Sequence, residues 1–125
     1  MTGVILIYLG SFIIFAWGVA HLFPTRKIIR GFGEISVENR RIIAMEWIIE
    51  GITLIFVGIL VAVVTFIDRV NPVSQSVYWM VFCLLNILSL ISLFTGFRNA
   101  FIAFKLCPLI FTGSSLLFLY AGLLS

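Results

Sequence analysis

Two carboxylates stand four residues apart inside an apolar run. In RRIIAMEWIIEGITLIF, residues 40–56, Glu46 and Glu50 interrupt a stretch dominated by Ile, Leu and Phe. On a helix, side chains at i and i+4 share a face, so the two acids would point together with Ile43 and Trp47. An ionised carboxylate near the bilayer centre costs about 2.5–3.5 kcal/mol on insertion scales. Glu50, the deeper of the two, must therefore be protonated, paired or turned to a wet cavity. Such a pair can move a proton, bind a cation or bind a polar ligand group. His21, the single histidine, adds a titratable imidazole. Glu50, Glu46, His21, Trp47, Asn86 and Arg98 are the candidate ligand-binding or proton-handling residues.

Cys107 is a further candidate. In KLCP it would stand at a helix N-terminus near Lys105 and Arg98, where a thiolate is favoured. A Cys–His–Glu set with His21 and Glu46 is then conceivable, against the plainer reading of a small apolar residue at a helix start. A carboxylate pair plus a histidine also resembles metal ligation in a bundle, but that pattern needs more ligands, so no metal site is expected. No phosphate loop, dinucleotide-binding glycines, haem-binding cysteine pair or nucleophile elbow is present, and the sequence names no cofactor.

The elements that must position these residues follow from composition. The chain has 125 residues, is 62% hydrophobic and 10% charged, and has a mean hydropathy of +1.25. A soluble domain is about 45–50% apolar and about 25% charged. The expected fold is therefore an all-α integral membrane four-helix bundle forming one domain, residues 1–125. A span needs about 20 apolar residues. The expected spans are residues 3–23, 42–67, 76–97 and 108–124, the last with Pro108 at its first helical position. An alternative starts the last span near Phe101 and kinks it at Pro108. The first apolar stretch lacks a basic leader and a small-residue cleavage site, so it is read as a span and not a signal peptide. Cys83 and Cys107 do not form a disulfide framework.

Charge sets the expected orientation. Seven of the eight Lys and Arg residues fall in the first and third connections, and Arg69 alone in the second. The positive-inside rule then puts those two connections in the cytoplasm and both termini on the non-cytoplasmic side. Tyr78, Trp79 and Tyr120 read as outer interfacial anchors. In the first loop, Ser36 is placed to cap the second span, Gly31 and Gly33 mark a turn, and TRKIIR forms one amphipathic turn on the membrane surface. By this reckoning His21, Glu46, Trp47, Arg98 and Cys107 lie in the cytoplasmic third. Glu50 lies deeper, toward a polar layer of Asn86, Ser114 and Ser11. Small residues on these faces, such as Gly10 and Gly18, let helices approach. The plainer readings are an ion pair of Glu46 with a loop arginine, interhelical bonding for Asn86 and packing for Trp47.

The first span ends FAWGVAHLFP, with a Gly, then His21, then a nearby Pro. This resembles the first-helix ending of small four-helix bacterial membrane proteins of the DoxX-like group. The resemblance implies the same four-span layout and a functionally mixed group with links to oxidoreductase partners and quinone metabolism. It assigns no residue a role. The expected location is the inner (plasma) membrane of a bacterium or archaeon.

Three functions compete. The leading one is binding of a lipophilic or lipid ligand, or a membrane partner, in an intramembrane polar pocket near the cytoplasmic leaflet. The second is an enzyme acting on a lipid or quinone-like substrate with Glu acid–base chemistry. The third is a small proton-coupled transporter working as an oligomer. Membrane lipids are the expected partners, with a homo-oligomer or a second membrane protein as alternatives. Nucleic acid is not, since the net charge of +3 follows from topology.

Overall fold

The structure, a computed structural model, describes residues 2–95 and 102–124. All described elements are helical: α1 (Thr2–Leu22), α2 (Thr25–Gly31), α3 (Val37–Asp68), α4 (Pro72–Thr95) and α5 (Ile102–Phe118), which runs on into a π-helical segment, Leu119–Leu124. Four stretches are long and apolar enough to cross a membrane: Thr2–Leu22, Val37–Asp68, Pro72–Thr95 and Lys105–Leu123.

Local sequence chemistry sets the element ends. Ser36 has extended backbone, and its Oγ accepts from the Asn39 N–H at 3.0 Å, with Glu38 in the first turn of α3. That is the expected N-cap. Gly33, at φ +74°, takes the left-handed turn that closes α2, its N–H donating to the Arg30 carbonyl. TRKIIR is helical as expected and rests on α3. At the other end of α3, Asn71 Oδ1 accepts from the Val73 N–H at 2.9 Å, and Pro72 opens α4. Proline suits that position because its missing N–H would be unpaired there anyway. With 32 residues, α3 is about 48 Å long, well beyond the ~30 Å hydrocarbon layer.

The fourth span differs from expectation. The helix begins at Ile102, not at Pro108, and Pro108 lies inside it. Lys105 is thus on a helix, and Cys107 is in the second turn rather than at the N-terminus. Arg98 lies outside the described residues. A proline inside a helix deletes one backbone bond, a loss tolerated in membrane helices when neighbours satisfy the freed groups. Here Ser89 Oγ on α4 donates to the Pro108 carbonyl at 3.1 Å and bonds Thr112 Oγ1 at 2.7 Å. Tyr78 is also placed otherwise than expected. It is fully buried, with its hydroxyl bonded to Thr65 Oγ1 at 2.7 Å, because an α4 face turns that ring against Gly122 of the closing segment. Trp79 and Tyr120 are exposed.

The packing order around the bundle is α3–α1–α5–α4. α1 packs most extensively on α3, α4 on α5, and α1 also on α5, whereas α3 and α4 touch little despite their short connection. The α1–α3 seam is made by small residues. A Cβ on Gly18 would fall 2.7 Å from the Gly51 carbonyl oxygen, and one on Gly58 would fall 2.7 Å from the Ser11 carbonyl oxygen. The two contacts step along antiparallel helices in register, so the backbones meet directly, as small-residue seams allow. The core lies where the helices converge, around Ile14, Leu54, Val61, Leu85, Phe111 and Phe118. Outward faces carry Ile, Leu, Val and Phe in bulk, as a lipid surface requires.

Candidate functional site

Among the described residues, Ile42, Glu46, Ile49 and Glu50 form an exposed face on the first half of α3. On it lies a groove of ≈ 430 Å³ lined by Ile42, Ile43, Glu46, Trp47, Ile49 and Glu50. Small-molecule sites are typically about 300–1,000 Å³. A smaller notch of ≈ 240 Å³ lies farther along the seam, lined by apolar side chains with Tyr8 and Ser11. The larger groove holds the carboxylates.

The wall of this groove is built from the end of α1. The last carbonyls of a helix have no partner within it. Two of those of α1 are capped by side chains: Trp47 Nε1 donates to the His21 carbonyl at 2.6 Å, and Thr25 Oγ1 to the Leu22 carbonyl at 2.6 Å. The Trp47 bond draws its indole flat onto the His21 imidazole, with ring centroids 3.9 Å apart and planes 16° apart. His21 is thereby fixed in orientation. Its side chain is only 7% exposed, and Nε2 is buried with no hydrogen bond among the described residues. Glu50 Oε2 lies 3.6 Å from that nitrogen, while the Glu50 side chain is 49% exposed. The result is an acid and an imidazole at near-contact, one open to the groove and the other walled in.

Behind His21, Trp17 follows on the same face of α1, one turn deeper. Its Nε1 is buried without a well-formed hydrogen bond, beside the Cys107 thiol, a weak acceptor. Cys107 is itself buried and within electrostatic reach of Glu50. Ser114 Oγ is a third buried group with no partner among the described residues. Unpaired buried polar atoms are uncommon, and each calls for an explanation.

The candidate residues therefore divide. His21, Trp47, Glu50 and Glu46 come together at the groove. Cys107 joins them from behind, through α5 rather than through a helix N-terminus. Glu46 is exposed, and no Lys or Arg among the described residues pairs with it or with Glu50. Asn86 does not join them: its amide donates to the Phe82 carbonyl of its own helix at 2.7 Å, on a helix that packs against α5. Ser11 likewise bonds the Ile7 carbonyl at 2.9 Å, so the expected mid-membrane polar layer does not form as a connected set. Among the described residues, no three His, Cys, Asp or Glu side chains converge as a metal site would need.

Sequence reasoning missed a second polar cluster, at the α3–α4 turn. Arg69 donates to the Ala121 carbonyl at 2.9 Å, and Gln75 donates to the Arg69 and Gly122 carbonyls at 2.9 and 2.8 Å. The isolated Arg69 was the available signal, but it bonds a backbone carbonyl of the closing π-helical segment, which carries no mark in the sequence.

Comparison with protein-family models, curated proteins and solved structures returns no match. The four apolar spans make an integral membrane protein the coarse reading of the chain. The site's own chemistry carries anything finer.

Proposed function

We propose that this protein binds a lipophilic ligand with a polar head at the α3 groove, on the cytoplasmic side of a bacterial or archaeal inner membrane. The observation that carries this is His21: an imidazole nitrogen held rigidly by Trp47, walled in and without a hydrogen bond, next to a half-exposed carboxylate on an apolar groove. An apolar groove with a few convergent polar groups is the ordinary form of a ligand site. The orientation rests on the charge count: in the sequence, seven of the eight Lys and Arg lie between the first and second or the third and fourth apolar stretches, and Arg69 alone lies between the second and third. The DoxX-like resemblance belongs to the same proposal, since its FAWGVAHLFP ending is the segment that delivers His21 to α3.

The test is native mass spectrometry after mild detergent extraction. The expected result is a bound amphiphile on the wild type that is lost from Ile42→Trp, a substitution that fills the groove from an exposed position. A wild type that carries nothing, and that titrates with no amphiphile, would sink the reading.

One observation favours a second reading, an enzyme acting on a lipid. His21 Nε2 and Glu50 Oε2 at 3.6 Å form an acid–base pair beside the groove. Turnover of a lipid by the purified protein, abolished in Glu50→Gln, would separate it from simple binding.

A further inference from the structure

We infer that the connection between α1 and α3 is a docking surface for an anionic phospholipid of the surrounding bilayer, its phosphate held by Arg26 and Arg30 of α2 with Arg40 and Arg41 at the start of α3. This surface is separate from the α3 groove and does not rest on the binding reading above. On α2, the helical period puts Arg26, Lys27 and Arg30 within about 100° of arc, with Ile28 and Ile29 on the other side. The structure keeps that division: the three basic residues are exposed, the two isoleucines are partly buried, and α2 packs on α3. From Phe23 to Arg41, five Lys and Arg stand against two acids, Glu34 and Glu38. The side chains of Arg26, Arg30, Arg40 and Arg41 form no ion pair or hydrogen bond among the described residues, with these acids or with any other group. Each guanidinium presents a fork of N–H donors that matches phosphate oxygens.

The position of these groups selects the partner. α2 starts at Thr25, just after α1 ends at Leu22, and Arg40 and Arg41 come immediately before the apolar run of α3 that begins at Ile42. Both are places where an apolar stretch ends, so the guanidinium groups lie at headgroup level, where basic clusters attract anionic lipid. Phe23 and Phe32, on either side of α2, are 83% and 54% exposed. Bare rings beside a basic face suit the boundary between headgroups and acyl chains, as in interfacial amphipathic helices. An acidic segment of a soluble protein would leave both rings in water. A zwitterionic headgroup would bring its own cation against four unpaired arginines.

The experiment is titration of the delipidated, detergent-purified full chain with phosphatidylglycerol and with phosphatidylcholine of the same acyl chains, read by native mass spectrometry. Phosphatidylglycerol should bind the wild type more tightly by about tenfold or more, since each basic side chain near the surface adds to the attraction. Arg26→Gln with Arg30→Gln, and separately Arg40→Gln with Arg41→Gln, should each lower that ratio. Ile42→Trp, which fills the α3 groove, should leave it unchanged. Equal binding of the two lipids by the wild type, or binding of neither, overturns the inference. So does a ratio that neither double variant moves. A ratio lost in Ile42→Trp alone places the phosphatidylglycerol in the groove, which also overturns the inference while the binding reading stands. Binding of polyglutamate without a lipid preference assigns the surface to an acidic protein segment and overturns it too. The comparison of the two lipids is made on the wild type, so it decides even where a variant fails to fold.

Discussion

At the α3–α4 turn, Gln75 ties two backbone carbonyls together, Arg69 holds a third, and the Tyr78 hydroxyl closes on Thr65. At the α2 end the polar groups are as numerous, yet His21 Nε2 and Trp17 Nε1 are buried without hydrogen bonds, and Glu50 is half-exposed beside them. The first cluster resembles a clasp: Arg69 and Gln75 bond carbonyls of the closing π-helical segment, and Gln75 also bonds the Arg69 carbonyl. The second is held open. Trp47 is bonded and stacked so that the imidazole is fixed, with its Nε2 3.6 Å from the Glu50 carboxylate.

The comparison can be broken most severely through the seam the two ends share. Gly58→Leu would drive a side chain into the Ser11 carbonyl, and a loss of about 3 kcal/mol is expected from such overpacking. Thermal unfolding should fall sharply, with both ends failing together. If only one end loosened, the seam would not be the link between them. Next comes Gln75→Ala, which removes two bonds to backbone and should cost roughly 1–2 kcal/mol at typical bond strengths. Its effect should show in unfolding and leave amphiphile binding intact. Tyr78→Phe removes one interhelical bond, worth about 0.6 kcal/mol on average in membrane bundles. A ligand-binding defect in either variant would mean that the clasp and the groove are coupled.

The smallest stability effect is expected from Glu50→Gln. The side chain is half-exposed and makes no hydrogen bond, so unfolding should stay within about 0.5 kcal/mol of the wild type. Binding should suffer most from this change. A large loss of stability would instead make Glu50 part of the scaffold and erase the contrast between the two ends.

Much of the scaffold was legible in the chain. Uninterrupted apolar length marks a span whatever it packs against, so three span positions were readable, as were the Ser36 cap and the Gly33 turn. Pro108 was misread because proline is equally at home at a helix start and, with a donor such as Ser89 nearby, inside a membrane helix. Nothing local tells the two apart. Tyr78 was taken for an interfacial anchor because sequence places a tyrosine by depth, whereas the direction it faces depends on which helix lies opposite.

The candidate site was legible in its residue types and not in its assembly. Glu46, Glu50 and Trp47 share a helical face by arithmetic, and His21 falls at a matching depth by counting. Which helices touch is a different matter. The order α3–α1–α5–α4 put His21 against Trp47, sent Asn86 elsewhere and brought Cys107 in from behind. By itself the sequence determined that the chain carries four membrane-length apolar stretches, roughly where they lie, and that two acids face one way, because these depend on transfer energy and helical period along a single segment. Only the tertiary structure decided that those acids border a groove rather than a sealed core. That depends on which small residues let two backbones meet, and on which face the described neighbours then leave exposed.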